Sequence, residues 1–129
     1  MKVTVETAKQ YWHMAPADAV KHKSRDVQDI RCIMLDGRLD AAGAQAAEAE
    51  FNAAVAAGPN VIIDLGRVPF IASVGIRLLV TATQTQAKLG GKMVLMNADE
   101  VTRKVLKTTG IDQLVPVCSG FNEALAAFS

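Results

Sequence analysis

The sequence predicts a single α/β domain, in which a mixed, mostly parallel sheet of four to five strands packs against four or so helices. Short apolar runs alternate along the chain with longer segments whose apolar residues recur at helical spacing. Strands that alternate with helices in this way are joined by right-handed crossovers, which make neighbouring strands parallel. No internal repeat or linker divides the 129 residues, so we expect one domain spanning 1–129.

The N-terminal part holds two predicted strands separated by a segment without a clear period. Val3 and Val5 alternate with polar residues, which predicts a half-exposed, antiparallel strand at the sheet edge. Residues 30–35 are mainly apolar and predict a second strand, ended by Gly37. Between them, residues 9–29 follow neither a strand nor a helix period and are interpreted as an irregular insertion or a displaced N-terminal strand.

An alanine-rich segment after the second strand predicts a helix. Asp40 stands directly before it and is the expected N-cap. Gly58 and Pro59 end it. The residues expected on its buried face are Ala44, Ala47, Phe51, Ala54 and Val55.

The centre of the chain predicts a buried strand that leads into an amphipathic helix. Residues 61–65 are apolar except for Asp64 and lie between a proline and a glycine. Ser73 falls at the junction, where its hydroxyl could cap the helix. Val74 and Leu78 are expected beside the polar stripe, on the exposed face. The expected core face comprises Ile76, Leu79, Val80, Thr83 and Ala87, and the expected polar stripe comprises Arg77, Thr81, Gln84 and Lys88.

The C-terminal part predicts two further strands and two short helices. Gly90 and Gly91 end the central helix, and residues 93–96 form the next buried strand. Asp99 is expected to cap a helix with Val101 and Val105 facing inward. Residues 114–117 predict a last strand, which Pro116 confines to an edge. The final helix is indicated by the spacing of Phe121, Ala124, Leu125 and Phe128.

Composition argues against several functional classes. The formal net charge of +1 gives no overall attraction to nucleic acid or to an anionic membrane. No run of about eighteen apolar residues occurs, and the N-terminus does not have the pattern of a signal peptide. We therefore expect a soluble, cytoplasmic protein that does not bind nucleic acid or insert into a membrane.

The cysteines and histidines do not form a metal-binding pattern. Cys32 and Cys118 lie in apolar surroundings without CxxC spacing, which favours two buried, reduced thiols. His13 and His22 belong to the irregular segment and are most simply exposed. The basic cluster around Lys21 favours a solvated loop over a site for an acidic partner. No metal or cofactor is expected.

The serine at the helix start does not belong to a known catalytic motif. The sequence IASVG around Ser73 lacks the first glycine of the hydrolase elbow, and neither phosphate-binding glycine motif occurs. Glu48 and Glu50 are two residues apart on a helix and point away from each other, so they are not a catalytic pair. The sequence therefore predicts a protein that is not an enzyme.

Three motifs, in this order, resemble those of STAS domains, a family typified by bacterial anti-sigma factor antagonists. Residues 36–40, DGRLD, resemble the Gly-x-Leu-Asp loop of the family. Residues 64–77, DLGRVPFIASVGIR, resemble its central strand, hydrophobic turn, serine and helix. Residues 104–117 resemble the family more weakly. The likeness covers residues 30–129 and implies the STAS fold, whose first two strands are usually joined by a tight turn.

The resemblance also implies roles for individual residues. Ser73 matches the serine that family members phosphorylate, and Asp40 matches an acid that assists the kinase reaction or contacts nucleotide; capping of the helix is a compatible role for Asp40. A phosphate on Ser73 would lie at the positive end of the helix dipole, with Arg77 four residues further on. The residues expected near the phosphorylation site are Asp40, Asp64 and Arg77, and those expected to contact a partner are Arg38, Val74, Leu78 and Thr81.

The function implied by the resemblance is that of an anti-sigma factor antagonist. Such a protein sequesters an anti-sigma factor that is also a serine kinase, is released by phosphorylation and is reset by a phosphatase. Ala72 and Val74 depart from the family, whose switching members commonly have Asp and a second Ser or Thr at these places. The alternative is a non-switching STAS scaffold in a stress-sensing or lipid-transport complex, with Ser73 serving only as a helix cap.

Overall fold

The computed structural model describes residues 1–8 and 30–128. Their strands are β1 (Lys2–Thr7), β2 (Arg31–Asp36), β3 (Val61–Arg67), β4 (Met93–Met96) and β5 (Val117–Cys118). Their helices are α1 (Ala41–Ala56), α2 (Ser73–Lys88), α3 (Glu100–Thr108) and α4 (Phe121–Ala126), with a 3₁₀ turn at Ile111–Gln113. The irregular segment 9–29, with its two histidines and its basic cluster, lies outside the described residues.

The five strands form one sheet in the order β1-β2-β3-β4-β5. β1 runs antiparallel to β2, and every other neighbouring pair is parallel. β3 therefore lies at the centre of the sheet, with β2 and β4 hydrogen-bonded on either side of it. The predicted mixed, mostly parallel sheet with an antiparallel N-terminal edge is confirmed.

Two hydrophobic clusters lie on opposite faces of the sheet because side chains alternate along each strand. On one face Ile63 packs with residues of α1, α2 and α3, represented by Phe51, Leu79 and Leu106. On the other face the neighbouring Ile62 packs with residues of α4, represented by Phe121 and Leu125. Of the helices in the described part of the chain, three therefore cover one side of the sheet, and the short C-terminal helix covers part of the other.

The buried face of α2 differs from the predicted one. The buried residues are Gly75, Leu78, Leu79, Ala82 and Gln86, so of the five predicted core residues only Leu79 is fully buried. Leu78 is 6% exposed, and the prediction that it lies on the exposed face is wrong. The hydropathy pattern failed because this face consists largely of small residues and a buried amide, which do not have the pattern of a core.

Two C-terminal predictions also need correction. Asp99 does cap α3, accepting a hydrogen bond from the Thr102 N–H at 2.7 Å. Val101, however, is 63% exposed, and the buried positions of this helix are Thr102 and Leu106. The last strand begins only at Val117, since Leu114 follows the 3₁₀ turn and is exposed.

The C-terminal end of α1 is held by two polar side chains. Gln86, buried in α2, donates to the carbonyl oxygens of Val55 and Gly58 at 2.9 Å and accepts from the Asn60 N–H at 2.8 Å. Arg31 of β2 also donates to the Gly58 carbonyl oxygen. These bonds satisfy carbonyl groups that a helix end leaves without partners, and they tie α1, α2 and β2 together.

Both cysteines are buried and unoxidised, as predicted. Burial raises the pKa of the Cys32 thiol to about 12, with a smaller contribution from the carboxylate of Asp64. The thiolate is the reactive form of cysteine, so Cys32 is an unreactive core residue.

Candidate functional site

The candidate site is formed where the loops after β2 and β3 meet. Leu39 donates from its N–H to the Phe70 carbonyl oxygen at 2.8 Å and accepts at its own carbonyl from the Ala72 N–H at 3.0 Å. Leu39 and Ile71 form an isolated parallel bridge. The next residues, Asp40 and Ala72, are the N-caps of α1 and α2, so the N-termini of the two helices lie side by side.

The N-terminus of α1 is closed by a side chain. Asp40 is the N-cap and accepts from the Gly43 N–H at 2.8 Å, which confirms the capping prediction. This bond, aided by the nearby Arg38, holds the pKa of the Asp40 carboxyl below its usual value. The carboxylate is therefore ionised at neutral pH and already engaged in the fold.

The N-terminus of α2 is not closed in this way. Its N-cap is Ala72, which has no capping side chain, and Ser73 is the first helical residue. The prediction that the Ser73 hydroxyl caps α2 is therefore wrong. The Ser73 side chain is exposed, and within the described part of the chain its hydroxyl forms no hydrogen bond. A kinase could reach this oxygen without unfolding the protein.

A glycine lets α2 begin close to the neighbouring loop. A Cβ atom on Gly75 would lie 2.8 Å from both the side chain and the carbonyl oxygen of Leu39, and 3.0 Å from the Ile71 side chain. These distances are too short for any residue other than glycine. Gly75 is therefore required to hold Ser73 next to the Asp40 loop.

Arg38 and Phe70 form the outer surface of the two joined loops. The Arg38 guanidinium lies 4.4 Å from the centre of the Phe70 ring, a cation–π contact. It also forms an ion pair with Asp40 at 3.4 Å. Phe70 remains 39% exposed. Arg38 was predicted at the partner surface, whereas Phe70 was noted only as part of the hydrophobic turn before Ser73 and was not among the predicted site residues.

A groove of about 350 Å³ runs between α1 and α2, beginning at the site. Val74 and Leu78 contribute apolar surface from α2, while Arg77 and Thr81 are exposed polar residues of the same helix. The residues of α1 that line the groove are Ala41, Ala44, Gln45, Glu48 and Asn52. Four predicted site residues thus line one groove, although Leu78 contributes as a buried wall and not as an exposed side chain.

Asp64 takes a different position from the other predicted site residues. Its neighbour Ile62 and its cross-strand partner Met96 belong to the cluster on the α4 face, so its side chain points away from α1 and α2. Asp64 Oδ1 accepts from the Gly66 N–H at 2.8 Å and from Asn97 Nδ2 at 3.2 Å. It therefore shapes the start of the loop that leads to Ser73.

A family model for the STAS domain matches residues 22–124. The chain belongs to the STAS domain family. The match spans both joined loops, α1 and α2, and includes every predicted site residue.

Two relatives of this STAS domain are named as anti-sigma factor antagonists. It is 33% identical over 95 residues to BtrV of Bordetella bronchiseptica, provisionally named an anti-sigma factor antagonist, covering 73% of this chain and 82% of that protein. It is 27% identical over 113 residues to the anti-sigma-F factor antagonist RsfB of Mycobacterium tuberculosis, covering 87% and 92%.

A solved structure agrees on the fold. The crystal structure of an anti-sigma factor antagonist from Mycobacterium paratuberculosis superposes with a TM-score of 0.71 at 24% identity, covering 98% of this chain and 94% of that one. The likeness extends over nearly the full length of both chains, and it supports the STAS fold of the whole domain.

Within 1–8 and 30–128, no three His, Cys, Asp or Glu side chains come together as a possible metal site. In the same part of the chain, no helix combines the length and apolarity that crossing a bilayer would require.

Proposed function

We propose that this STAS domain is an anti-sigma factor antagonist, which binds an anti-sigma factor with serine kinase activity and is released when that kinase phosphorylates Ser73. The names of BtrV and RsfB support the general class. The observation that carries the proposal is the exposed Ser73 hydroxyl on the first residue of α2, beside a groove and without a structural hydrogen bond.

The start of α2 can accept a phosphate with little change to the fold. The N–H groups of the first helical turn have no carbonyl partners within the helix, and a capping side chain is absent. A phosphate carries about −1.5 to −2 charge at neutral pH and is favoured at the positive end of a helix dipole. Arg77 is exposed one turn further on and forms no ion pair with any described residue, so it is available to pair with that phosphate.

The groove is the proposed docking surface for the anti-sigma factor. Its apolar lining, from Val74, Leu78 and Ala44, lies between polar side chains of α1 and α2. Interfaces commonly combine an apolar centre with a polar rim. An apolar side chain of the partner would fill the groove, while Arg38 and Phe70 would extend the contact over the joined loops.

Phosphorylation would act mainly on the complex. Ser73 precedes Val74 at the start of the groove, so a doubly charged group there would have to be desolvated or placed against the partner's own charges. Unfavourable charge placement in an interface costs on the order of several kcal/mol, whereas an exposed phosphate costs the free protein little. In this proposal the serine is a switch, a phosphatase resets it, and the domain itself catalyses nothing.

Asp40 has a supporting role in the proposed reaction. Its carboxylate is engaged by the Gly43 N–H and by Arg38, so it holds the loop against which α2 begins. In the same proposal Asp40 faces the kinase active site and helps to orient the Ser73 hydroxyl or the bound nucleotide.

The first experiment tests phosphorylation at Ser73. The purified domain is incubated with ATP and its cognate anti-sigma factor, and its intact mass is measured. We expect one added phosphate on the unmodified chain and none on Ser73→Ala. Ser119→Ala is the matched control, because Ser119 is also exposed and lies near the start of a helix, two residues before Phe121. Absence of added phosphate, or equal addition to Ser73→Ala, contradicts the switch.

Binding is measured separately by calorimetry with the same partner. We expect Ser73→Asp to weaken the complex by about tenfold or more, since a charge is introduced at the interface, and Ser119→Asp to leave it unchanged. A pull-down that recovers an ATPase or permease in place of an anti-sigma factor would support the non-switching scaffold.

A further inference from the structure

The edge strand β1 has a charge pattern that is complementary to itself. Lys2 and Glu6 carry opposite charges and lie two residues on either side of Thr4. Because side chains alternate along a strand, these three residues share one face of the sheet. Val3 and Val5 share the other face, where Val3 packs against the core beneath α1 and α2 and Val5 is 43% exposed.

Lys2 and Glu6 cannot satisfy each other within one chain. Residues four apart on a strand are separated by about 13 Å, which is too far for an ion pair. Lys2 lies opposite Asp36 on β2, but the Asp36 carboxylate is paired with Arg67 at 3.5 Å. Glu6 lies opposite Cys32. In the described part of the chain, neither charge has an ion-pair partner.

We propose that β1 pairs with β1 of a second copy, antiparallel and about a twofold axis at Thr4. In this register Lys2 of each copy lies opposite Glu6 of the other, Val3 lies opposite Val5, and the two Thr4 residues meet at the axis. Two five-stranded sheets then become one continuous sheet of ten strands.

Each cross-strand pair in this register is a favourable type. Opposite charges and threonine pairs stabilise antiparallel neighbours, and β-branched residues such as valine pack well on a half-buried sheet surface. The exposed Val5 side chain is covered by the Val3 side chain of the second copy. The outer edge of β1 is not bonded to another described strand, so its backbone N–H and C=O groups gain partners as well.

The order of the charges distinguishes this edge from a protected one. Charged residues, lysine above all, usually prevent association of edge strands. A charge prevents two edge strands from pairing when the pairing would place like charges opposite each other or bury an unpaired charge. With Lys2 and Glu6 placed symmetrically about Thr4, the antiparallel pairing brings opposite charges together, whereas a parallel pairing in register would place like charges opposite each other.

The pairing does not involve the loop after β3 or α2, where Ser73 lies. Ser73 follows the loop after β3, and β2 lies between β3 and the β1 edge. A dimer formed through β1 therefore presents two copies of the Ser73 surface. The dimer itself does not depend on the proposed function.

The test is sedimentation equilibrium of the full chain at low salt, with any tag placed at the C-terminus. We expect reversible dimerisation that weakens as salt is added. Lys2→Glu and Glu6→Lys should each raise the dimer Kd by about tenfold. The dimer is symmetric, so each substitution replaces two opposite-charge pairs with two like-charge pairs. The double variant that carries both changes restores opposite pairs, and its Kd should return to within about threefold of the original.

Lys104→Glu is the matched control, because Lys104 is an exposed lysine on α3, away from β1. It changes the net charge by the same amount as Lys2→Glu and should leave the dimer unchanged. Far-UV circular dichroism and melting curves verify that each variant is folded. A chain that remains monomeric up to about 1 mM, a dimer insensitive to both reversals, or a double variant that fails to recover would each overturn the proposal.

Discussion

The N-termini of α1 and α2 lie side by side and are built differently. Both helices begin next to residues 38–39, and both have glycine as their third residue because that segment leaves no room for a Cβ atom. α1 is capped by Asp40, which bonds the Gly43 N–H. α2 starts after Ala72 without a side-chain cap and carries an exposed Ser73.

The difference separates a structural helix end from one available for binding. At α1 the orphan N–H group and the helix dipole already have a carboxylate partner, so a further anion would be repelled. At α2 the N–H groups of the first turn have no capping side chain, and the first helical residue, Ser73, carries only a small hydroxyl. A phosphate on Ser73 would supply to α2 the kind of negative group that Asp40 supplies to α1.

The largest loss of stability is expected at the feature that the two helix N-termini share, the glycine at the third helical position. Gly43→Ala would place a methyl group against the Arg38 carbonyl oxygen, and Gly75→Ala would place one against Leu39. We expect each to lower the free energy of unfolding by about 1–3 kcal/mol or more, because the backbone must move. Urea denaturation measures the loss.

Gly58→Ala is the control for these glycines, since the nearest atom to a Cβ there lies 3.9 Å away. It should change stability by less than about 1 kcal/mol in either direction. If Gly75→Ala proves as mild as Gly58→Ala, the close approach of α2 to Leu39 is not required.

The next largest effect is on the melting temperature, and it should differ between the N-termini of α1 and α2. Asp40→Ala removes the cap of α1 and should lower the melting temperature by about 3–6 °C. Ser73→Ala removes an exposed hydroxyl that caps nothing and should lower it by less than about 2 °C. Equal losses would mean that Ser73 has a structural role after all.

The Asp40 effect should also depend on pH. Because the capping bond holds the Asp40 pKa below its usual value, its stabilisation is fully present above the unfolded pKa of about 3.9. It is lost as the pH falls through the lower pKa of the folded protein. The difference in melting temperature between the natural chain and Asp40→Ala should therefore narrow in acid. A constant difference would argue that the ionised carboxylate is not the stabilising form.

The smallest effect comes from making the two ends the same. Ala72→Asp introduces a capping carboxylate at the N-cap of α2 and should stabilise the domain by about 0.5–1 kcal/mol, measured by urea denaturation. Ala57→Asp, at the C-cap of α1, places a carboxylate at the unfavourable end of a helix dipole and should not stabilise. If Ala72→Asp has no effect, the first turn of α2 is already satisfied.

The fold could be predicted from the sequence because its strands and helices have strong periodic signals. The strand 61–65, the alanine-rich helix and the caps at Asp40 and Asp99 were all identified, since each depends on neighbours close in sequence. The motif resemblance supplied the family, which periodicity alone could not.

The candidate site was predicted less completely because its geometry depends on contacts between distant segments. The α2 core face was wrong, since Gly75 and Gln86 are buried for reasons of close approach and hydrogen bonding that hydropathy does not measure. Phe70 was not predicted as a site residue, because its exposure and its contact with Arg38 depend on how the two loops meet. The proposed roles of Ser73, Asp40 and Arg77 in phosphorylation remain predictions.

The amide of Gln86 has a consequence for how a partner would be received. Its hydrogen bonds hold α1 against α2 at one end of the groove, and the Leu39 contacts hold the two helices together at the other end. The two helices are therefore restrained from moving apart or closer together. A partner therefore binds a preformed groove and must adapt its own conformation. The loss of conformational entropy by this domain on binding is then small.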